Sequence, residues 1–487
     1  MKKLKLLLIV FALSLLAFVM ACDKEKLFIY DDIGYTLLSD GTFEVALCNK
    51  TGDIVIPAEQ EGIRVSKIGD DAFNSCAEIT SVKIPDSIVN IGKFAFYRCT
   101  SLTEITIPDS VTYIGEGAFD NCSNLENLTI GKAINGLNAC FHNCNALKNV
   151  TITSGATKIP KNTFCYLSGI TEIILPDSLE TIEEFAFDGC SNLKTVKFGQ
   201  GIKHVGEGAF QNCELLEKVE YNNTLENWCQ IKFDDFYSNP LLYGKKLFIN
   251  EEEITKVDIT TVNSVGDYAF LGSSLNSVTL GDSVTNVGKF AFGRCDSLSN
   301  ITMSDSLETI GENAFHACIA LSSITIPEKV TKINSGIFYE CTNLSEVKFN
   351  NNITEIGGLS FAKCHKLENV VIPNEVKVIG ENAFFGCKNL VSVTLGNKIE
   401  RIESGAFSHV EKLNSIKIPE SCVSIGSEAF EGCYGLEDAV FENPNGWKCF
   451  LNSDSEGIDL LSESLSNTVT ASQYLNEFYC EYTWKRI

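Results

Sequence analysis

Basic side chains are in short supply. Lys and Arg number 39 against 63 Asp and Glu, leaving a formal charge of −24. Nucleic-acid phosphates and anionic lipid both call for a surplus of positive charge, so neither class of partner suits this chain. Histidine is scarcer still, with only His142, His204, His316, His365 and His409. These five are scattered, and no four Cys or His converge at zinc-ligand spacing. A phosphate-cradling glycine loop, a nucleophile elbow and an EF-hand loop are all missing. No catalytic set, metal site or cofactor is therefore expected. Beyond residue 22 there is also no apolar run long enough to cross a bilayer.

The one apolar run present sits at the amino terminus. Lys2, Lys3 and Lys5 precede Leu6 to Val19, which is almost wholly apolar and too short for a comfortable membrane span. This pattern reads as a secretory signal. Its ending, Val19-Met20-Ala21-Cys22, resembles the lipobox of bacterial lipoproteins. That resemblance implies cleavage after Ala21, lipid on Cys22 and attachment to the membrane through that lipid; an ordinary signal ending on a chance cysteine is the alternative.

What fills the remainder is a repeat. A phenylalanine recurs at Phe73, Phe96, Phe119, Phe141, Phe164, Phe187 and Phe210, then at Phe270, Phe292, Phe315, Phe338, Phe361, Phe384, Phe407 and Phe430. The step is 22 or 23 residues, apart from the single 60-residue gap between Phe210 and Phe270. A fixed period of this size predicts a solenoid, in which each unit buries its apolar side chains only against its neighbours. Each unit has a strand of the form Leu-x-x-Ile-x-Ile, such as Leu102 to Ile107, followed by Pro or Gly. A limb of the form Ile-Gly-x-x-Ala-Phe-x-x-Cys returns the chain, with one or two helical or 3-10 turns expected in it. Gly stands four residues before the Phe in ten of fifteen units, for example Gly92, Gly115 and Gly311. That frequency suggests a backbone conformation closed to most other residues.

The expected organisation is a signal at 1–22, a tether and β-hairpin cap at 23–63, and repeats at 64–222. An enlarged irregular coil with a hairpin follows at 223–259, then repeats at 260–441 and an aromatic cap at 442–487. In the enlarged coil, Leu247 to Asn250 and Ile254 to Ile259 are expected to pair around Glu251-Glu252-Glu253. Its aromatics, Trp228, Phe236 and Tyr243 among them, either pack as core or form an exposed recognition knob. In the terminal cap a short helix is expected from Thr470 to Phe478, starting at Ser472 or Thr470.

Twelve of the twenty cysteines lie three residues after the Phe, from Cys76 to Cys433. Leu167, Val410 and Ser273 occupy the same column elsewhere, so the slot is buried and apolar. Parallel side chains ~4.8 Å apart also suit a disulfide badly. Reduced core thiols are expected, consistent with maturation where oxidation is weak; only Cys449 and Cys480 are candidates to pair within the cap.

Period-2 alternation leaves two outward residues on each strand. The pairs Asn300 and Thr302, Ser323 and Thr325, and Glu346 and Lys348 are the candidate binding face. The face is polar and lacks aromatic anchors, so contact energy per unit area should be modest.

The full unit, Ile-Gly-x-x-Ala-Phe-x-x-Cys-x-x-Leu-x-x-Ile-x-Ile-Pro, resembles the BspA-like class of leucine-rich repeats in bacterial surface proteins. The likeness spans roughly residues 28 to 484, with Leu137, Pro160, Glu183, Asn334 and Glu403 departing at the glycine slot. It implies an α/β repeat solenoid: a curved, right-handed superhelix with a parallel sheet on the concave side and short helical or 3-10 turns on the convex side. It also implies surface display and binding of protein or glycan ligands on host matrix or neighbouring cells, with no catalytic residues to carry over. A structural role in the cell envelope without an external ligand is the alternative.

Overall fold

The computed structural model describes residues 26–137, 140–451 and 457–487. The signal segment, Cys22 and the start of the tether lie outside the described residues. Two compact units are resolved by their contacts: one reaches Leu193 and adds Phe210–Cys213, and the other comprises Lys194–Ala209 and Glu214–Ile487.

The first unit opens with the expected hairpin. Ile33–Leu37 pairs antiparallel with Phe43–Cys48. Asp40 holds the turn by accepting from Thr42 N (3.0 Å) and Thr42 Oγ1 (2.7 Å). A further strand, Leu27–Tyr30, pairs antiparallel on its outer side. The coils then stack through a parallel ladder that includes Gly52–Val55, Ile79–Lys83, Glu104–Ile107, Asn127–Ile130 and Asn149–Ile152. Residues at equal places in the repeat face one another, as Asn127 faces Glu104 and Ile130 faces Ile107. Most coils contribute a second, short strand from the start of the return limb, such as Asn90–Ile91 against Tyr113–Ile114.

Beyond that short strand the limb turns without becoming a helix. Alternate amides leave the coil: Phe94, Phe96 and Arg98 donate to the carbonyls of Glu116, Ala118 and Asp120 in the next coil at 2.7–3.1 Å. The amides between them close i to i+3 turns, such as Tyr97 N to Phe94 O (3.1 Å) and Cys99 N to Phe96 O (3.2 Å). Left-handed residues two before and two after the Phe, here Phe94 (φ 52°) and Arg98 (φ 58°), make the alternation possible. A helix would direct every amide inward and is excluded by that geometry. One 3-10 helix, Lys132–Gly136, occurs among the described coils of this unit.

The repeat glycine has a different cause from the one expected. Gly115 carries no left-handed φ. A Cβ on it would instead lie 2.5 Å from Lys93 N and 2.6 Å from Gly92 C of the preceding coil. The slot is a close approach of backbones, so the bar is steric. Gly115→Ala is expected to lower stability by about 1–3 kcal/mol, as overpacking does; an unchanged urea midpoint would show that the coils separate freely.

In the second unit, Thr195–Phe198, Lys218–Tyr221 and Lys246–Ile249 run parallel. The expected hairpin differs in partner: Lys246–Ile249 pairs with Glu252–Glu253 around a two-residue turn at Asn250 (φ 49°) and Glu251 (φ 72°). Lys256–Ile259 instead begins a new parallel ladder with Ser277–Leu280, because its alternation matches the repeat and buries Val257 and Ile259. Trp228 lies fully inside this enlarged coil. Its Nε1 donates to Ala269 O at 2.8 Å, and its ring meets those of Phe198, Tyr221 and Phe233.

The cap lays Trp447–Phe450 against Thr483–Arg486, which itself pairs antiparallel with Ser424–Ile425 of the last coil. The cap helix starts at Thr468, and Asn467 accepts from Thr470 N (2.9 Å) as its N-cap. That places the cap on an Asn and not on Ser472 or Thr470, consistent with the strong preference for Asn at this position. Cys449 and Cys480 are both free; their thiols approach the carbonyls of Ile458 and Glu477.

In each unit the inward spine is a stack of phenyl rings. Centroids of successive rings from Phe73 to Phe210 lie 4.8–6.0 Å apart. Those from Phe270 to Phe430 lie 5.3–5.8 Å apart. Beside the rings, the column thiols from Cys99 onward donate to the phenylalanine carbonyl of the preceding coil, as Cys122 to Phe96 O and Cys318 to Phe292 O do at 3.1 Å. The cysteine is thus a small apolar filler that also satisfies a buried acceptor.

Candidate functional site

The strand face of the second unit carries the six residues picked out by alternation. Asn300 and Thr302 are exposed on Asn300–Met303, Ser323 and Thr325 on Ser323–Thr325, and Glu346 and Lys348 on Glu346–Lys348. Their alternation follows from Ile301, Ile324 and Val347 pointing inward between them. Ser323 faces Glu346 and Thr325 faces Lys348 in register. Glu346 and Lys348 form an ion pair of 3.3 Å, exposed on both sides, so it orients the two side chains and adds little stability.

One feature of this face has no counterpart in the sequence pattern. Asn300–Met303 ends a three-stranded ladder, and Ser323–Thr325 with Glu346–Lys348 forms a separate two-stranded one. A groove of about 370 Å³ occupies the split, bordered by Thr302, Met303, Asp305, Thr325, Pro327 and Glu328. A second split separates Glu346–Lys348 from Asn369–Val371 and holds a groove of about 570 Å³ beside Glu346, Lys366, Glu368, Asn369 and Asn389. The structure therefore brings four of the six residues together on one paired ladder and sets Asn300 and Thr302 across a groove from them. Alternation missed Asp305, Glu328 and Lys366 because they lie past the strand ends, where period 2 no longer applies.

The first unit has a comparable hollow of about 420 Å³ between Ser81–Ile84 and Glu104–Thr106. At its edge Asp53 accepts from Ser81 Oγ (2.7 Å) and Thr80 Oγ1 (2.8 Å), and these hydroxyls hold its carboxyl below the usual range.

The three aromatics of the enlarged coil do not form a knob. Trp228 is core, for the packing reasons given above. Phe236 and Tyr243 are half-buried. Phe236 meets Tyr237 and Phe290 edge-on at 5.6 Å, with the Arg294 guanidinium 5.9 Å from its centroid. Among the described residues, no group of three or more His, Cys, Asp or Glu side chains is placed to hold a metal ion. No described helix is long and apolar enough to cross a membrane.

A family model for the BspA type leucine rich repeat region, in six copies, matches residues 39–166, 157–239, 243–368 and 354–469. The crystal structure of a leucine-rich repeat protein from Bacteroides ovatus is 25% identical; the match covers 81% of this chain and 95% of that one, with a TM-score of 0.53. A leucine rich cell surface protein from Faecalibacterium prausnitzii is 26% identical over 86% of this chain and 96% of its own, at a TM-score of 0.37. The pneumococcal vaccine antigen PcpA is 17% identical over 82% and 95%, at 0.38. Among curated proteins, none matches the chain.

Proposed function

This chain belongs to the BspA-type leucine-rich-repeat family, and from that premise we propose that it is a bacterial cell-surface binding protein, held to the envelope by lipid on Cys22. The observation that carries the reading is the exposed, polar strand face with its two grooves. A row of Ser, Thr, Glu and Lys side chains at strand spacing offers donors and acceptors to an extended partner lying across the strands. A protein segment or a glycan of host matrix or a neighbouring cell has that chemistry. The acidic surface, at −24 overall, favours partners that are neutral or basic.

The support for export is the Lys2-to-Cys22 segment, and for binding it is an exposed polar face of the kind that solenoids commonly use. The test is a screen of the full chain against immobilised matrix proteins and glycans, repeated with Ser323, Thr325, Glu346 and Lys348 changed to Ala. Affinity for any hit is expected to fall at least about tenfold, while the melting temperature holds because exposed substitutions cost about 0.5 kcal/mol or less. Binding that survives all four changes would remove this face from consideration.

A further inference from the structure

The residue directly after the repeat phenylalanine forms an outer column, and in the first unit three consecutive coils place Asp120, His142 and Cys165 there. Asp120 Oδ1 accepts from His142 N at 2.9 Å, and Asp120 Oδ2 lies 3.3 Å from His142 Nδ1. A carboxylate in that position selects the tautomer with its proton on Nδ1 and turns the Nε2 lone pair outward. Nε2 faces Cys165 Sγ at 3.9 Å. The thiol also reaches Asn162 O in its own turn, at 3.3 Å. Cys165 therefore stands apart from the spine thiols, whose protons point at inward carbonyls with no base beside them.

We propose that Cys165 is a nucleophilic thiol, served by His142 as base and by Asp120 as the group that orients it, and that it forms mixed disulfides with low-molecular-weight disulfides. In the step, Nε2 takes the thiol proton as Sγ attacks one sulfur of the disulfide. The new bond to Sγ forms, the original S–S bond breaks, and the departing thiolate takes the proton from the imidazolium. Cys165 is oxidised and half of the reagent is reduced to thiol.

The surroundings explain why a base is needed. Burial first, then the Asp188 carboxylate on the next coil, push the Cys165 thiol up, so it rests protonated. Asp188 is itself engaged by Asn212 Nδ2 at 3.0 Å. On the other side, burial raises the Asp120 carboxyl, and Glu116 adds to that, while His142 opposes it. The His142 side chain is 44% exposed, leaving room for a small reagent to approach from solvent. Cys165 itself retains 6% exposure, which restricts the partner to small molecules.

The full chain is mixed, folded, with dithiobis(nitrobenzoate), and nitrothiolate release is followed by absorbance. With the two partly exposed thiols, Cys76 and Cys480, changed to Ser, one fast thiol is expected. Cys165→Ser should remove that phase, and His142→Asn should slow it at least about tenfold, with recovery when free imidazole is added. The remaining spine thiols, all buried, report folding in the same cuvette, because they stay silent until denaturant is added. A fast phase that survives Cys165→Ser, or a rate unchanged by His142→Asn in protein whose spine remains silent, overturns the proposal. So does a His142 variant that exposes its spine thiols and whose His142→Gln counterpart, still folded, reacts at the original rate.

Discussion

Truncating Phe119 to alanine is expected to cost about 3–5 kcal/mol, the usual penalty for a buried phenylalanine, and to lower the urea midpoint of the first unit read by far-UV circular dichroism. The ring is fully buried and stacks on Phe96 at 5.1 Å and on Phe141 at 5.4 Å, so one deletion opens a void that two coils share. Backbone relaxation cannot close it cheaply, because hydrogen bonds from Phe96 N to Ala118 O and from Phe119 N to Cys140 O hold the coils at their spacing. Phe119→Leu should recover part of the loss by filling some of the volume. A penalty under about 1 kcal/mol would mean that the ladder, and not the ring stack, supplies the cohesion.

The second large effect is unfolding in alkali. Cys295, Cys341 and Cys387 are fully buried, and burial pushes each thiol from the usual 9.0 up to about 12. A folded-state value above the unfolded one means that the unfolded chain releases its protons first as pH rises. The stabilisation is therefore complete below pH 9 and is lost as pH climbs from 9 towards 12. Each such thiol costs about 1.4 kcal/mol per pH step of one in that window, so these three together cost about 4 kcal/mol over the first such step above pH 9. The second unit should hold at pH 8 and unfold cooperatively well before pH 12. Changing the three cysteines to Val, which the column already accepts at Val410, should move the alkaline midpoint upward. A midpoint that ignores the substitution would assign the transition to tyrosine or lysine titration.

The spine and the outward columns were legible in the sequence because packing imposes them directly. Phe119 and Cys122 must point inward at a fixed step, and Glu104 and Thr106 must then point out. The left-handed columns left a fainter mark. Gly and Asn recur in them, as at Gly117 and Asn121, but Phe94, Arg98 and Lys363 share the positive φ without sharing any chemistry, since the demand is on the backbone alone. The glycine slot was visible but misattributed, because a close approach between coils and a special φ select the same residue. Trp228 was ambiguous for a different reason: an aromatic in an irregular coil carries no period from which to read its direction. The splits beside Asn300–Met303 and Glu346–Lys348 were hidden because paired and unpaired strands here share one pattern. The alignment of Asp120, His142 and Cys165 was present as a spacing of 22 and 23 residues; it acquired meaning only once the column was known to face outward.

Within either unit, successive regular coils present the same ring and, except at Leu167, Ser273 and Val410, the same thiol donor. Two coils cut at equivalent points can therefore be rejoined with nothing mismatched at the seam. Gain or loss of a whole 22- or 23-residue unit, as unequal recombination of a repetitive gene would produce, leaves each remaining contact with a partner of the same kind. An insertion of five or ten residues has no such escape unless it bulges outward, as the exposed turn at Asn250 and Glu251 does. The length of this protein, and with it the extent of its outer face, is thus free to change in whole steps without the spine being redesigned.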